Sequence, residues 1–370
     1  MIVGPSYPLR GGLATFNERL ARAFLESGND CELISFSLQY PKVLFPGKTQ
    51  FSDEAPPDDI FIHTSINSVG PLSWFKTAKY IAKRKPDLVI FRYWMPFMAP
   101  ALGTIARIIR KKSKKTKLVA ITDNIIPHEK FPFSKPLNSY FLNSFHAFIT
   151  MSETVMSDLK TFIPNPRAQL CLHPLYDNFG SLIPRPQAVE KLQLNPNHQY
   201  VLFFGFIRKY KGLDLLLEAF ADPRFRNRSI RLLIAGEFYD SPEHYNSLIE
   251  QHQLEDLIVR RHEFIPNSEV ADYFSASDLI ALTYHSATQS GVTQVAYHFE
   301  KPMLATNVGG LEETVPHGKV GYCIEKTPIA IADSILDFFD NQRENEFLEG
   351  IQEERKKYSW DNLVSALQKI

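Results

Sequence analysis

The stretch from Val201 to Phe220, VLFFGFIRKYKGLDLLLEAF, constrains the fold more than any other part of the chain. Val201 to Phe204 are uniformly apolar and read as a buried parallel strand that Gly205 ends. Arg208 and Lys211 follow in a short loop. Gly212 then opens a helix whose apolar positions Leu213, Leu216, Leu217 and Phe220 recur at helical spacing. Two fixed cations on a strand-to-helix loop, beside a helix N-terminus, suit a diphosphate. The competing reading of the same pair is a solvated charged loop.

The same alternation runs along the whole chain. In the first half, strands are expected at Met1–Val3, Cys31–Phe36, Ile60–His63, Leu88–Arg92, Lys117–Thr122 and Ala147–Met151. In the second half they are expected at Tyr200–Gly205, Ile230–Ala235, Ile258–Phe264, Asp278–Leu282 and Met303–Thr306. Helices fill the gaps, which implies an α/β chain with two doubly wound parallel sheets. The join falls around Gly180–Asn197, with Pro184, Pro186 and Pro196 around a short helical piece, Ala188–Leu192. The expected organisation is an N-terminal domain over 1–180, a C-terminal domain over 181–356 and a terminal helix over 357–370 that crosses back. Ligands bind beyond the carboxyl ends of parallel strands, so the site is expected in a cleft between the two sheets.

Composition removes several alternatives. The chain has 370 residues and a formal net charge of zero, so any basic surface is local and no global field argues for nucleic acid. Cys31, Cys171 and Cys323 form no CxxC pair, which argues against a disulfide framework or a zinc site and for a reducing cytosol. No run approaches the roughly 18 apolar residues of a membrane span. The N-terminus lacks a charged leader before an apolar core, and Met1-Ile2-Val3-Gly4 reads as the end of a first strand.

In order and spacing, GPSYPLRGGLATFNERL, FFGFIRKYKGLDLLLEAF, LLIAGEF, EVADYFSASDLIAL, SATQSGVTQVAYHFEKPMLATNVGGLEETVPHGKVGY and YSWDNL cover nearly the whole chain. Together they resemble the retaining GT-B glycosyltransferases of family 4 (group 1). The resemblance implies two Rossmann-like domains facing a cleft. It also implies sugar transfer from a nucleoside diphosphate sugar, with a uridine or guanosine base, to a hydroxyl of a glycan or lipid-linked acceptor. Lys211 falls on the family's diphosphate lysine. The family's arginine directly follows the glycine, where this chain has Phe206, so Arg208 takes that role by proximity.

The family also carries two glutamates with seven residues between them, the first on the sugar and the second on the ribose. This chain has neither: alignment on Lys301-Pro302 puts Ala287 and Val295 there, and alignment on Gly291 puts Thr288 and Ala296 there. Amides pair with hydroxyls. Gln294 is therefore the candidate for the ribose, and Gln289 or Ser290 for the sugar; a Gln294 that merely caps or faces solvent is the alternative. Ser290, Gly291, Val292 and Thr293 open a helix whose free N–H groups would bind the diphosphate. Gly205, Gly309 and Gly310 allow close backbone approach. Gly11 and Gly12, between the first strand and first helix, match the family's glycine loop beside the donor phosphate.

In the N-terminal half, TDNIIPHE follows a strand. Many relatives place a sugar-contacting histidine where Asp123 stands; the nearby imidazole here is His128, a candidate for orienting the sugar or the acceptor hydroxyl. Asp123, Asn124 and Glu129 are candidate hydroxyl contacts. Arg92, with Tyr93 and Trp94, forms either an acceptor wall or a packing element. Arg107–Lys117, RIIRKKSKKTK, has seven basic residues in eleven. It follows an apolar helical face and suits an anionic membrane surface, so a peripheral position at the inner face is expected. It holds no aromatic platform for nucleic acid.

The implied mechanism retains the anomeric configuration, with the leaving diphosphate deprotonating the incoming hydroxyl. Arg208, Lys211 and the amides after Ser290 stabilise the developing charge. No metal or other cofactor is expected, and Asp58-Asp59 reads as a turn. Two alternatives stand beside this reading. One is a nucleotide-sugar epimerase on the same fold. The other is a binding or scaffold subunit with a decayed site, which the missing glutamates favour and Lys211 with both glycine loops opposes.

Overall fold

The computed structural model describes residues 1–41, 49–126, 131–239, 241–287 and 290–370. The chain divides into two compact units, Met1–Pro174 with Ser359–Ile370, and Leu175–Tyr358. The sequence placed the first boundary after residue 180; the contacts place it at Pro174.

The first unit starts with β1 (Ile2–Val3), α1 (Gly12–Glu26), β2 (Glu32–Leu38) and β3 (Phe61–Asn67). It continues through α2 (Pro71–Arg84), β4 (Leu88–Tyr93), α3 (Ala99–Lys112) and β5 (Lys117–Thr122). Then come α4 (Ser134–Leu142), β6 (Ala147–Thr150), α5 (Glu153–Phe162) and β7 (Ala168–Leu170). The strands are all parallel, in the order β3-β2-β1-β4-β5-β6-β7. Right-handed crossovers put α2 to α5 on one face and α1 on the other. The central strands read as unbroken apolar runs because helices cover both faces. Val89, Phe91, Leu118 and Ala120 are fully buried against Leu102, Ile105 and Ile109 of α3.

The second unit runs α6 (Arg185–Lys191), β8 (Gln199–Phe204), α7 (Leu213–Phe220), β9 (Ile230–Ala235) and α8 (Glu243–Gln251). It goes on through β10 (Ile258–Arg261), α9 (Val270–Ala276), β11 (Leu279–Leu282), α10 (Gly291–His298) and β12 (Met303–Thr306). It ends with α11 (Leu311–Thr314), β13 (Gly321–Ile324), α12 (Pro328–Asp340) and α13 (Glu344–Glu354). Its parallel order is β10-β9-β8-β11-β12-β13. Leu213, Leu216, Leu217 and Phe220 of α7 are all buried in its core, as their spacing requires. The last helix, α14 (Trp360–Lys369), belongs to the first unit. There Trp360 packs 5.0 Å from the Phe16 ring, Arg19 lies over its indole at 5.2 Å, and Gln368 donates to Asn29 at 3.2 Å.

Five elements differ from the expectation, each at a sheet edge or a turn. β3 runs on to Asn67 through polar residues, because an edge strand needs no unbroken apolar run. β10 stops at Arg261, where its pairing with β9 ends. β7 and β13 are short edge strands without a strong apolar signal. α7 starts at Leu213, since Lys209–Lys211 make a 3₁₀ turn and Gly212 sits between them at φ +66°.

Candidate active site

In the second unit the carboxyl ends of β8, β11 and β12 lie side by side, and their loops are joined by specific contacts. The Thr283 hydroxyl donates to the Gly212 carbonyl at 2.8 Å, and the His285 amide donates to the Tyr210 carbonyl at 2.7 Å. A Cβ on Gly212 would stand 1.9 Å from the Thr283 carbonyl oxygen, so only glycine fits between these loops. His285 Nε2 and Asp214 of α7 bond at 2.9 Å, closing the same seam. The Thr306 hydroxyl donates to the Tyr284 carbonyl at 2.6 Å, bringing in the end of β12.

Lys211 projects along the first of these loops. Its Nζ stands 3.2 Å from where a Cβ would lie on Gly205, whose φ is +89°. The ammonium thus covers the bare backbone at the end of β8. Burial first, and the neighbouring Arg208 charge second, pull Lys211 down to about 7. Such a cation gains by meeting an anion. Arg208 takes a different course: its guanidinium lies over the Tyr239 ring, 4.7 Å from the centroid. Phe206, at the family's arginine position, packs tilted against the same Tyr239 at 4.2 Å and sits 5.8 Å from Phe264.

The loop after β11 leads into α10 through Ser290. Its hydroxyl pairs with the Tyr284 phenol at 3.0 Å and makes no cap bond to the helix. Among the described residues, the first-turn amides of Gly291, Val292 and Thr293 thus have no side-chain cap, and no acidic residue lies in that turn. Gly291 has room for little else, since an added Cβ would lie 3.1 Å from the Tyr176 ring. Gln294 is 1% exposed, and its Oε1 has no hydrogen-bond partner among the described residues. A buried amide oxygen without a donor costs free energy until something donates to it. Val295 and Ala296, on the family's second glutamate position in the two alignments, are buried apolar residues, as is Ala287 on the first. Gly309, at φ +55°, lies against the Ala287 carbonyl, 1.6 Å from where its Cβ would be, and Gly310 precedes α11.

The corresponding end of the first unit is built differently. Arg92 is 2% exposed and its Nε donates to Asp123 at 2.6 Å in a two-pronged pair, with the guanidinium 3.7 Å from the Phe16 centroid. Both charges thus serve one another, and of the two readings of Arg92, an acceptor wall or a packing element, this buried ion pair matches the packing element. The remaining Arg92 nitrogen, Nη1, and Oδ1 of the buried Asn17 have no hydrogen-bond partners among the described residues. His173 lies edge-on to Phe16 at 4.9 Å; burial, then the Arg92 charge, pushes it down to about 3, so it is neutral. Gly11, at φ +102°, precedes α1, and Gly12 is its first residue. Asn124 is half-buried beside Asp123. Asp59 forms a two-pronged bond with Arg22 at 2.5 and 3.0 Å, consistent with a structural turn. His128, Glu129, Thr288 and Gln289 lie outside the described residues.

The contacts thus bring together Gly205, Lys211, Ser290 to Gln294 and Gly309, all in the second unit. Tyr284, His285 and Asp214 were not singled out from the sequence. Their only signal was polar character directly after a strand or in a helix's first turn, and their pairing emerges from the β8–β11 neighbourhood.

Residues 184–358, nearly all of the second unit, match the family model for Glycosyl transferases group 1. A D-inositol 3-phosphate glycosyltransferase of Gordonia bronchialis is 29% identical over 197 residues, 50% of this chain and 42% of that protein. The chain spans less than half the length of the curated relatives it matches. Among solved structures, the sucrose-phosphate synthase of Thermosynechococcus elongatus has a TM-score of 0.76 at 15% identity, covering 100% of this chain and 97% of that one. The Anabaena protein HepE in complex with UDP-glucose also reaches 0.76, at 16% identity, covering 100% and 98%. The structural likenesses show a GT-B fold, and the family-model match over residues 184–358 with the curated relatives supports a group 1 glycosyltransferase.

Proposed function

We propose that this protein transfers a sugar from a uridine or guanosine diphosphate sugar to a hydroxyl of a glycan or lipid-linked acceptor. One observation carries the reading: the partly desolvated Lys211 ammonium over Gly205, within the segment that matches the group 1 model. The UDP-glucose bound by the Anabaena neighbour supports a nucleoside diphosphate donor.

In this reading the donor diphosphate lies between Lys211 and the uncapped amides of Gly291, Val292 and Thr293. These donors neutralise charge as the glycosidic bond to phosphate breaks. Gln294 Oε1 accepts from a ribose hydroxyl, which supplies its missing partner. Transfer retains the anomeric configuration, with the departing phosphate oxygen taking the proton of the incoming hydroxyl on the same face. No metal ion is required, because lysine and helix amides carry the counter-charge. Arg208 supports this site from its stack on Tyr239, and Arg107–Lys117 faces an anionic membrane.

The test is a panel of UDP-, GDP-, ADP- and dTDP-sugars, with and without EDTA, scored for binding and nucleoside diphosphate release. Release from one donor in EDTA, lost in Lys211→Ala, is the expected result. No binding to any donor would overturn the proposal.

A further inference from the structure

We infer that the open edge of β3 is a docking site for an extended, acidic segment of a partner protein, which adds a strand to the first unit's sheet. The inference is independent of the donor site, whose residues belong to the second unit. β3 ends its sheet, and among the described residues no group outside β2 bonds to the backbone of Phe61–Ile66. Asn67, by contrast, is closed off: its amide donates to the Ser73 hydroxyl at 3.0 Å, and the Trp74 indole donates to its carbonyl at 2.6 Å. Alternate residues of a parallel strand turn their backbone groups outward. The edge thus offers unpaired donors and acceptors. Folds protect such edges by short length, charge or cover, and the other three edges here are protected. β7 has three residues. β10 carries Arg260 and Arg261. In β13 the Cys323 amide donates to His317 at 3.2 Å, and the Gly321 carbonyl takes the Gly318 amide at 2.8 Å. β3 holds no Lys, Arg, Asp, Glu or Pro, and the shift in its pairing with β2 falls past Thr64, so Phe61–Thr64 run regularly.

α2 supplies the selectivity. It lies over β3: the Tyr80 ring stacks on His63 at 4.1 Å, and the Thr77 and Ser65 hydroxyls bond at 2.9 Å. Ala78 and Ile81, round toward α3, share a core with Leu102 and Ile105. At 100° per residue, the helix face beyond Tyr80 and away from α3 carries Lys76 and Lys83, then Leu72 and Lys79. All four are exposed. Residues 61–85 hold five Lys and Arg and no Asp or Glu. Lys76 and Lys83 lie about 10 Å apart along the helix, within reach of alternate side chains about 7 Å apart on a strand added beside β3. Carboxylates at those positions match the lysines. Phe61 is 58% exposed and, two residues from His63, points to the α2 side, where it offers an apolar contact. A second copy of this chain fits poorly, because it would set two such lysine rows against each other. A bilayer would leave the backbone edge unpaired.

The test is binding of a fluorescent peptide of alternating Glu and Val to the full chain, read by anisotropy and by backbone hydrogen exchange. Binding is expected, with slowed exchange within Phe61–Ile66. Lys76→Glu/Lys83→Glu should weaken it about tenfold and keep the wild-type melting temperature. Replacing every Val of the peptide by Pro keeps its charge and removes alternate backbone donors, so that peptide should bind at least about tenfold more weakly. No binding up to about 1 mM peptide, binding without slowed exchange, or equal binding by the prolyl peptide or by the charge-reversed variant overturns the inference. So does slowed exchange within Phe61–Ile66 that grows with protein concentration in the absence of peptide, which would seat a second copy at the edge. Equal slowing by phosphatidylglycerol vesicles would seat a bilayer there and overturn it too.

Discussion

The carboxyl ends of the two sheets hold similar residue types in opposite conditions. In the first unit Arg92 and Asp123 are buried and bonded to each other over the Phe16 ring. In the second, Lys211 is crowded next to another cation, and among the described residues the α10 amides have no side-chain cap and Gln294 Oε1 no donor. The same chemistry thus serves cohesion in one place and reception in the other. A paired buried charge holds the fold together but offers little to a ligand. An unpaired one weakens the empty protein and rewards whatever completes it.

The contrast can be broken from either side. Asp123→Ala leaves a buried guanidinium uncompensated and should cost about 3–5 kcal/mol in urea unfolding. Arg92→Met with Asp123→Leu should recover most of that loss. Lys211→Ala should leave unfolding nearly unchanged yet slow nucleoside diphosphate release about 10²–10³-fold. A Lys211→Ala protein that unfolds as readily as Asp123→Ala would make Lys211 a structural residue and end the contrast. Gln294→Ala removes one hydrogen bond to ligand, so donor affinity should fall about tenfold. Unchanged affinity would mean that Gln294 contacts no donor.

The smallest effect is a proton. Lys211 sits near 7 in the empty protein, so at pH 8 most molecules carry it neutral. A bound diphosphate favours the charged form and raises it, so binding at pH 8 takes up protons, and binding well below pH 7 takes up none. Calorimetry in buffers of different ionisation enthalpy reads this directly. Lys211→Arg, charged at all these pH values, should show no uptake.

Much of this was legible in the chain, and the reason lies in where each signal is stored. Lys211, Gly205 and the opening of α10 are local: a strand, a glycine and a helix start within a few residues reveal them. The Arg92–Asp123 pair was not, because the two are 31 residues apart and meet only through the register of β4 and β5. Tyr284 is another such case: its place after β11 does not reveal that its phenol pairs with Ser290. The glutamate positions were read as lost, and the buried Ala287, Val295 and Ala296 show apolar packing there. What the sequence could not indicate was that Gln294 would be both fully buried and short of a partner.

The membership of α14 in the first unit has a consequence for synthesis. Residues 175–358 interrupt that unit, so the part of α1 that Trp360 covers, at Phe16 and Arg19, stays exposed until Trp360 emerges from the ribosome. The whole second unit is therefore made, and free to fold, before the first can finish. Contacts between residues more than 300 positions apart are slow to form when folding starts from the full-length chain. Vectorial synthesis orders the events instead: an unfinished first unit, a completed second, and a last helix that closes the first.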